Sequence, residues 1–444
     1  MLTPLTRWHI PALFAIALCT QNWLSLFGPA VAEDWPQWRG PARDGQWQAT
    51  GITTDLPDGQ IQLDWSIPVG SGYSGPTVAA GRVYVMDRQG TLENQSERIL
   101  CCDSKTGQLL WKHEYPVRYT IQYTAGPRSS VTIDGAVAYA VGAMGHFHAL
   151  DATTGKVLWQ HDLNKEYDIE MPIWGIAASP LVHGNLVIQQ VGGADGACMV
   201  AFDIHTGKEV WHALKERASY SSPILARQAG QDVLICWTGD SLSGLDPASG
   251  RVHWSEPMPP SRMPIGVGTP TIDGDLLYVS SFYDGSLMVR LLPDKLAIEK
   301  VWRKVGKSEQ LTESLHAMIG TPIVSGGYIY GVDSYGEFRC LNALTGERLW
   351  ESDAAVPRAR WATVHMVRQG NHVWMFNERG ELMIAKLSPE KLEILDRCQV
   401  IEPTKLQLPQ RGGVCWTHPA FAEQSIFIRN DERMVRASLK AATP

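Results

Sequence analysis

A nine-residue pattern, Asp-x-x-Thr/Ser-Gly-x-x-x-Trp, constrains the fold of this chain more than any other feature. It joins Asp103 to Trp111, Asp151 to Trp159, Asp203 to Trp211 and Asp246 to Trp254, and recurs with Asn in first place from Asn342 to Trp350. Weaker traces end at Trp65, Trp302 and Leu395, giving eight anchors that lie on average about 47 residues apart. Self-similarity at such a period marks a repeat architecture in which each unit buries its apolar face against its neighbours.

Each period carries four short apolar runs. The first follows a Pro (Pro76, Pro180, Pro223, Pro270, Pro322), the second follows a Gly-containing turn, the third leads into the Asp, and the fourth ends at the Trp. With no helical periodicity between them, the four runs predict one blade of a β-propeller. The motif has a mechanical role: Asp or Asn accepts hydrogen bonds from turn amides, and Gly four residues later tolerates positive φ, closing the hairpin between third and fourth strands. The Trp then points at a neighbouring blade. An indole buries about 150–250 Å², and one such wedge per repeat explains why 17 Trp outnumber 9 Phe.

The prediction is therefore an all-β chain, an eight-bladed β-propeller with four-stranded blades over residues 61–440. After Leu395 only three strand-like runs remain, at 417–422, 425–430 and 434–439. The fourth strand of that blade is expected from residues 61–69, so that N- and C-terminal strands close the ring and leave no exposed edge. Residues 33–60 are left as an N-terminal arm, expected to contribute less to stability than the closing strand.

Residues 1–32 read as a signal peptide. Arg7 precedes an apolar run over 10–19, and Ala30-Val31-Ala32 supplies a small-x-small cleavage site before Glu33. Thr20-Gln21-Asn22 interrupts the run short of the roughly 20 apolar residues of a membrane span, so no transmembrane segment is expected in the mature chain. Leu18 before Cys19 is bulkier than a lipoprotein signal accepts. The expectation is a periplasmic or secreted protein, and a monomer. Cleavage leaves 38 basic against 46 acidic residues, which argues against nucleic acid as a partner. The seven remaining cysteines are odd in number and lack a Cys-x-x-Cys pair, and so read as buried thiols rather than a disulfide framework or zinc site.

Two stretches carry a family resemblance. Residues 149–159, Ala-Leu-Asp-Ala-Thr-Thr-Gly-Lys-Val-Leu-Trp, and the mature start at 34–41, Asp-Trp-Pro-Gln-Trp-Arg-Gly-Pro, resemble the quinoprotein-like (PQQ-like) β-propeller repeat family over about 55–440. That family contains alcohol and sugar dehydrogenases using pyrroloquinoline quinone, and a propeller lipoprotein of the outer-membrane β-barrel assembly machinery. The shared motif belongs to the scaffold and does not choose between them. In some of the enzymes adjacent cysteines stack on the cofactor, which invites comparison with Cys101-Cys102. Here Cys102 occupies the Ala position of a docking motif, and strand alternation sends the two thiols to opposite faces. Nothing matches the family's calcium-ligating Glu and Asn with a catalytic Asp. No catalytic residue, metal ligand or cofactor is therefore assigned, and pyrroloquinoline quinone with calcium is the alternative. Gly239-Asp240-Ser241-Leu242 reads as a turn, and His146 with His148 as a solvated strand face lacking a third metal ligand.

The candidate ligand-binding site lies in the loops before the inner strands, which in a propeller ring one mouth of the central channel. Tyr73, Tyr220 and Trp416 stand three residues before a Pro, and Trp361 takes the same place before Val364. Such a ring could stack a flat ligand, a sugar or a peptide side chain. Arg128, Trp174, His316, Arg360 and His418 lie in the same loops and are expected to join it. The function expected is an exported non-catalytic binding or protein-interaction scaffold for a protein or saccharide partner. The alternatives are a PQQ-dependent dehydrogenase and a carbohydrate-handling enzyme or lectin.

Overall fold

Asp151 shows how each repeat closes. Its Oδ1 accepts hydrogen bonds from the Thr153 and Thr154 backbone N–H groups at 3.0 and 2.8 Å and from the Thr154 hydroxyl at 2.8 Å, while Gly155 sits at φ +72°. This turn joins the strands His146–Asp151 and Val157–Asp162, and their register slips between Ala149 and Leu150. The same bulge recurs in seven blades. It sets Trp159 opposite Ala149 and turns Leu158 out to solvent, the re-aiming that bulges accomplish.

The computed structural model describes residue 1, residues 33–91 and residues 93–442. The expected signal peptide, its cleavage site and Cys19 lie outside the described residues. The rest forms eight four-stranded antiparallel sheets, numbered here as blades one to eight from the inner strand Thr77–Ala79 to the inner strand Ala420–Ala422. Blade eight is completed by Trp65–Pro68, which pairs with Arg433–Ser438 so that Trp65 faces Arg436 and Pro68 faces Arg433. The ring closes as the sequence predicts.

Adjacent blades are joined by the motif itself. The indole N–H of each anchoring Trp donates to a backbone carbonyl of the next blade's turn: Trp65 to Ser104 at 2.9 Å, Trp111 to Ala152 at 3.1 Å, Trp159 to Ile204 at 3.0 Å, Trp211 to Pro247 at 3.1 Å, Trp302 to Ala343 at 2.8 Å and Trp350 to Ser388 at 3.1 Å. The ring lies flat on the motif glycine. A Cβ on Gly155 would stand 2.5 Å from the Trp111 ring, so Gly there is required by the approach as well as by φ.

Two joints depart from the rule. Blade five lacks the motif turn, and Trp254 instead donates to Gln228 Oε1 at 3.0 Å, whose Nε2 donates on to the Ala297 carbonyl at 2.6 Å. In blade seven Leu395 is not the anchor. The bulge pairs Asp396 with Ile384 and leaves Leu395 40% exposed, like Leu110, Leu158 and Leu349 in their blades. Asp396 Oδ2 accepts from the Leu56 backbone N–H at 2.6 Å, so the arm stands where a Trp would.

The arm, expected to contribute less to stability than the closing strand, is packed into the scaffold. Trp35 exchanges backbone hydrogen bonds with Val78, and the Trp47 N–H donates to the Arg368 carbonyl at 2.7 Å. Both indoles are 1% exposed and pack on Phe421 at 6.1 and 5.2 Å. Between them Arg43 enters the channel and donates to the carbonyls of Ser179, Pro180 and Pro223. The arm therefore crosses one mouth of the channel and ties inner strands of separate blades together.

Two outcomes follow for stability. Trp111→Ala is expected to cost about 3–5 kcal/mol and Gly155→Ala more than the roughly 1 kcal/mol of its φ alone. In the Trp111→Ala background the Gly155 substitution should fall back to about that φ cost, giving a coupling measurable by denaturant titration of the double-mutant cycle. Removing residues 33–50 strips two buried indoles and should destabilise by at least one Trp→Ala equivalent, about 3–5 kcal/mol, read from the same titration.

Candidate functional site

The segments that lead into the inner strands converge on one mouth of the channel. They form a cup, open on one side, to which all eight blades contribute. Tyr73 comes from the entry to blade one, Tyr123 and Arg128 from that to blade two, and Trp174 from that to blade three. Tyr220 precedes blade four, Val267 blade five, Met318 and Ile319 blade six, Trp361 with His365 belongs to blade seven, and Trp416 with His418 to blade eight. Trp38 of the arm is the remaining aromatic of the lining.

The aromatic rings brace one another. Trp174 lies 5.0 Å from Tyr220, tilted 32°, and Tyr123 meets Trp174 at 6.0 Å and Trp361 at 6.1 Å, both edge-on. Trp361 in turn meets Trp416 at 6.4 Å. Tyr123 and Trp361 hold φ of +54° and +66°. Large L-residues rarely adopt that region, and such strain is concentrated at ligand clamps and switch regions. Polar handles lock the wall: the Tyr73 hydroxyl donates to the Gln407 carbonyl at 2.8 Å, and the Trp416 indole N–H donates to Glu378 Oε2 at 3.0 Å. Glu378 is buried, which pushes its carboxyl above the usual range, and it is paired with Arg411. The Trp361 Nε1 and His418 Nε2 atoms, both buried, have no hydrogen-bond partner among the described residues.

Arg128 is the lone fully charged side chain of the lining. It lies 4.9 Å over the Tyr73 ring and donates to the Gln122 and Tyr123 carbonyls at 3.1 and 2.6 Å. His365 and His418 are kept neutral by burial, His365 pulled down to about 4 and His418 well below its ordinary value. Among the described residues the lining holds no carboxylate. The cup presents aromatic faces, two neutral imidazoles and one guanidinium.

Seven of the nine residues nominated from sequence line the cup: Tyr73, Arg128, Trp174, Tyr220, Trp361, Trp416 and His418. Two do not. His316 is fully buried, its Nδ1 against the Phe282 carbonyl at 2.9 Å and its Nε2 accepting from Gly306 N–H at 3.0 Å, so both ring nitrogens are spent on the loop. Arg360 stands behind the cup, pairing with Glu309 through two 2.8 Å hydrogen bonds and stacking 4.4 Å from the Trp361 ring. Sequence reasoning missed Tyr123, Met318, Ile319, His365 and Trp38. Of these His365 had a signal: it directly follows Val364, the residue used to place Trp361.

The residues present do not fit a calcium–quinone centre. Cys101 and Cys102 are buried in a regular strand, Ser96–Asp103, and belong to different core clusters. Burial pushes their thiols up to about 12 and about 11. Neither lines the cup, which also lacks the acidic ligands such a metal needs. Gly239 and Asp240 turn between the strands Gln231–Trp237 and Ser241–Leu245, with Ser241 Oγ donating to Glu216 at 2.8 Å. The strand face of His146 and His148 is not solvated. His148 is 3% exposed and packs on Tyr115 at 4.5 Å and His113 at 4.8 Å across the seam between blades one and two.

The fold is that of an eight-bladed, quinoprotein-like repeat propeller. Its sequence matches the model of a family described as outer membrane protein assembly factor BamB over residues 95–352, and the chain belongs to that family. BamB of Burkholderia pseudomallei (strain K96243) is 27% identical over 399 residues, covering 85% of this chain and 93% of that protein. The crystal structure of BamB from Moraxella catarrhalis superposes with a TM-score of 0.58 at 17% identity, over 86% of this chain and 99% of that one. A europium-containing methanol dehydrogenase gives 0.64 at 14% identity, over 91% and 89%. These two structures share the fold; at such identities they say nothing more.

The buried histidines make stability depend on pH. Each stays neutral in the fold, whereas in the unfolded chain it titrates near about 6.5. As pH falls below that value the unfolded state binds protons first, so stability present at pH 7 is lost toward pH 4, at up to about 1.4 kcal/mol per unit for each such histidine. The melting temperature should fall between pH 7 and pH 5, and less steeply in His365→Gln and His418→Gln, with His148, pulled down to about 3, sustaining part of the slope.

Proposed function

We propose that the chain is an exported, monomeric, non-catalytic propeller that works in the periplasm on the assembly of outer-membrane proteins. In this reading the aromatic cup holds apolar and aromatic side chains of a client or partner polypeptide. The observation that carries it is the composition of the cup among the described residues: seven Trp and Tyr rings drawn from six blade entries and the arm, one Arg and no carboxylate. Rigid aromatics supply large contact area at little entropic cost. A saccharide site would also stack on such rings, but it needs a dense set of polar groups for the hydroxyls, and the lining is mostly apolar. Membership of the BamB family supplies the assembly context, and the match between the cup and a polypeptide side chain supplies the contact.

The test uses short soluble peptides of alternating aromatic and polar residues, titrated by tryptophan fluorescence against the same peptides with Ser in place of the aromatics. Binding of the aromatic series should weaken about tenfold or more in Trp174→Ala and Trp361→Ala, since stacked aromatic contacts are worth about 0.5–1.5 kcal/mol each beyond area. In a deletion strain the level of outer-membrane β-barrels should fall, and the double variant should fail to restore it. Full restoration by that variant would remove the cup from the function.

A further inference from the structure

The inner strands carry the chain away from the cup, and a second cavity, of about 80 Å³, lies deeper along them. Where Ser222, Val267, Ile319 and His365 line the cup, Leu225, Thr271, Val324 and Arg368 line this one. Each lies three to five residues further on, or roughly 10–16 Å at about 3.3 Å per strand residue. The arm closes the other side with Arg39, Arg43 and Asp44.

Three guanidiniums therefore meet one carboxylate. Arg39 and Arg43 are 2% and 3% exposed. Among the described residues their partners are neutral: Arg39 donates to the Asp44 backbone carbonyl at 3.1 Å, Arg43 to Gln37 Oε1 at 2.8 Å and to strand carbonyls, and Arg368 to the Ser325 hydroxyl at 3.1 Å. The Asp44 carboxylate is occupied by the Gln46 backbone N–H at 3.0 Å and its Nε2 at 2.8 Å. Burial lowers the affinity of Arg39 and Arg43 for their protons, to about 10 and about 9, and Arg368 adds repulsion at Arg39. Two polar atoms of lining residues, Arg39 Nε and Thr271 Oγ1, are buried without a hydrogen-bond partner. A water molecule could serve either atom but would leave the charge uncompensated. An oxyanion does both, and guanidinium forks match phosphate and carboxylate geometry.

We infer that this cavity, between the arm and the inner strands of blades four to seven, is a binding site for an oxyanion, a phosphate or carboxylate group, held by Arg39, Arg368 and Thr271, with Arg43, whose N–H groups are spent on Gln37, Thr132 and strand carbonyls, adding only its charge. The site is separate from the cup and does not rest on the function proposed for it.

The probes are inorganic phosphate and acetate, titrated calorimetrically into the full mature chain with chloride holding ionic strength constant. Saturable binding of phosphate is expected, weakened about tenfold or more by Arg368→Gln, which removes one charge-assisted contact while leaving the Arg368 backbone bridge to the arm intact. Thr271→Val should weaken it about threefold or more, the scale of one neutral hydrogen bond, and near-ultraviolet circular dichroism confirms that both variants are folded. Binding of phosphate alone assigns a phosphate group, and equal binding of acetate assigns a carboxylate. Heats no larger than those of chloride, or affinities unchanged in folded Arg368→Gln, overturn the inference.

Discussion

Everything in this molecule depends on an indole lying flat on a glycine turn. A propeller blade is a sheet with two apolar faces and no core of its own, so it is stable only when both faces are covered. The Trp on the outer strand covers one seam, and its N–H finds the turn carbonyl that would otherwise be left without a partner. The bulge in the strand pair aims that Trp. Because the contact recurs at nearly every seam, it fixes the angle between blades, and that angle repeated around the ring fixes the width of the channel. The cup and the cavity below it are consequences of that width.

The seams that lack the contact show what substitutes for it. Gln228 relays the hydrogen bond of Trp254 to blade five, and Leu56 of the arm meets Asp396 of blade seven. The second substitution explains why the arm is part of the scaffold. The residues before the closing strand Trp65–Pro68 bring Trp38 to the cup and Arg39 and Arg43 to the cavity below it, while Trp35 and Trp47 join the core around Phe421 and Trp374. The cup is therefore completed by a segment distant in sequence from every loop around its rim.

The repeat made the fold legible because its signals are local: a turn motif, a proline before the inner strand, and alternation of period two. The rim aromatics were legible for the same reason, since Tyr73, Tyr220, Trp361 and Trp416 occupy one repeat position. What failed lay outside the repeat. Tyr123 and Trp38 sit in irregular segments whose direction depends on positive φ or on packing by the arm. His316 and Arg360 occupy the right loops, but their polar atoms are satisfied by Phe282, Gly306 and Glu309, partners no spacing rule reveals. Leu395 was misread by one residue because the bulge, invisible in sequence, decides which side chain faces the seam. His148 was read as solvated because its cover, His113 and Tyr115, comes from another blade.

The contrast with the quinone-dependent dehydrogenases of the same fold turns on what the channel contains. Oxidising an alcohol on a calcium–quinone pair calls for carboxylate and amide oxygens around the metal, and a carboxylate at that depth is tolerable because the cation compensates it. Here the charges in the channel have the opposite sign. Arg128 stands among the aromatics of the cup, Arg39, Arg43 and Arg368 outnumber Asp44 below, and Glu378 behind Trp416 is turned toward Arg411 and the Trp416 indole. A divalent cation would be repelled from such a channel, whereas an anionic group or a neutral aromatic side chain would be drawn into it. In this chain the same blade contacts leave an aromatic lining at one mouth and an excess of guanidinium groups beneath it.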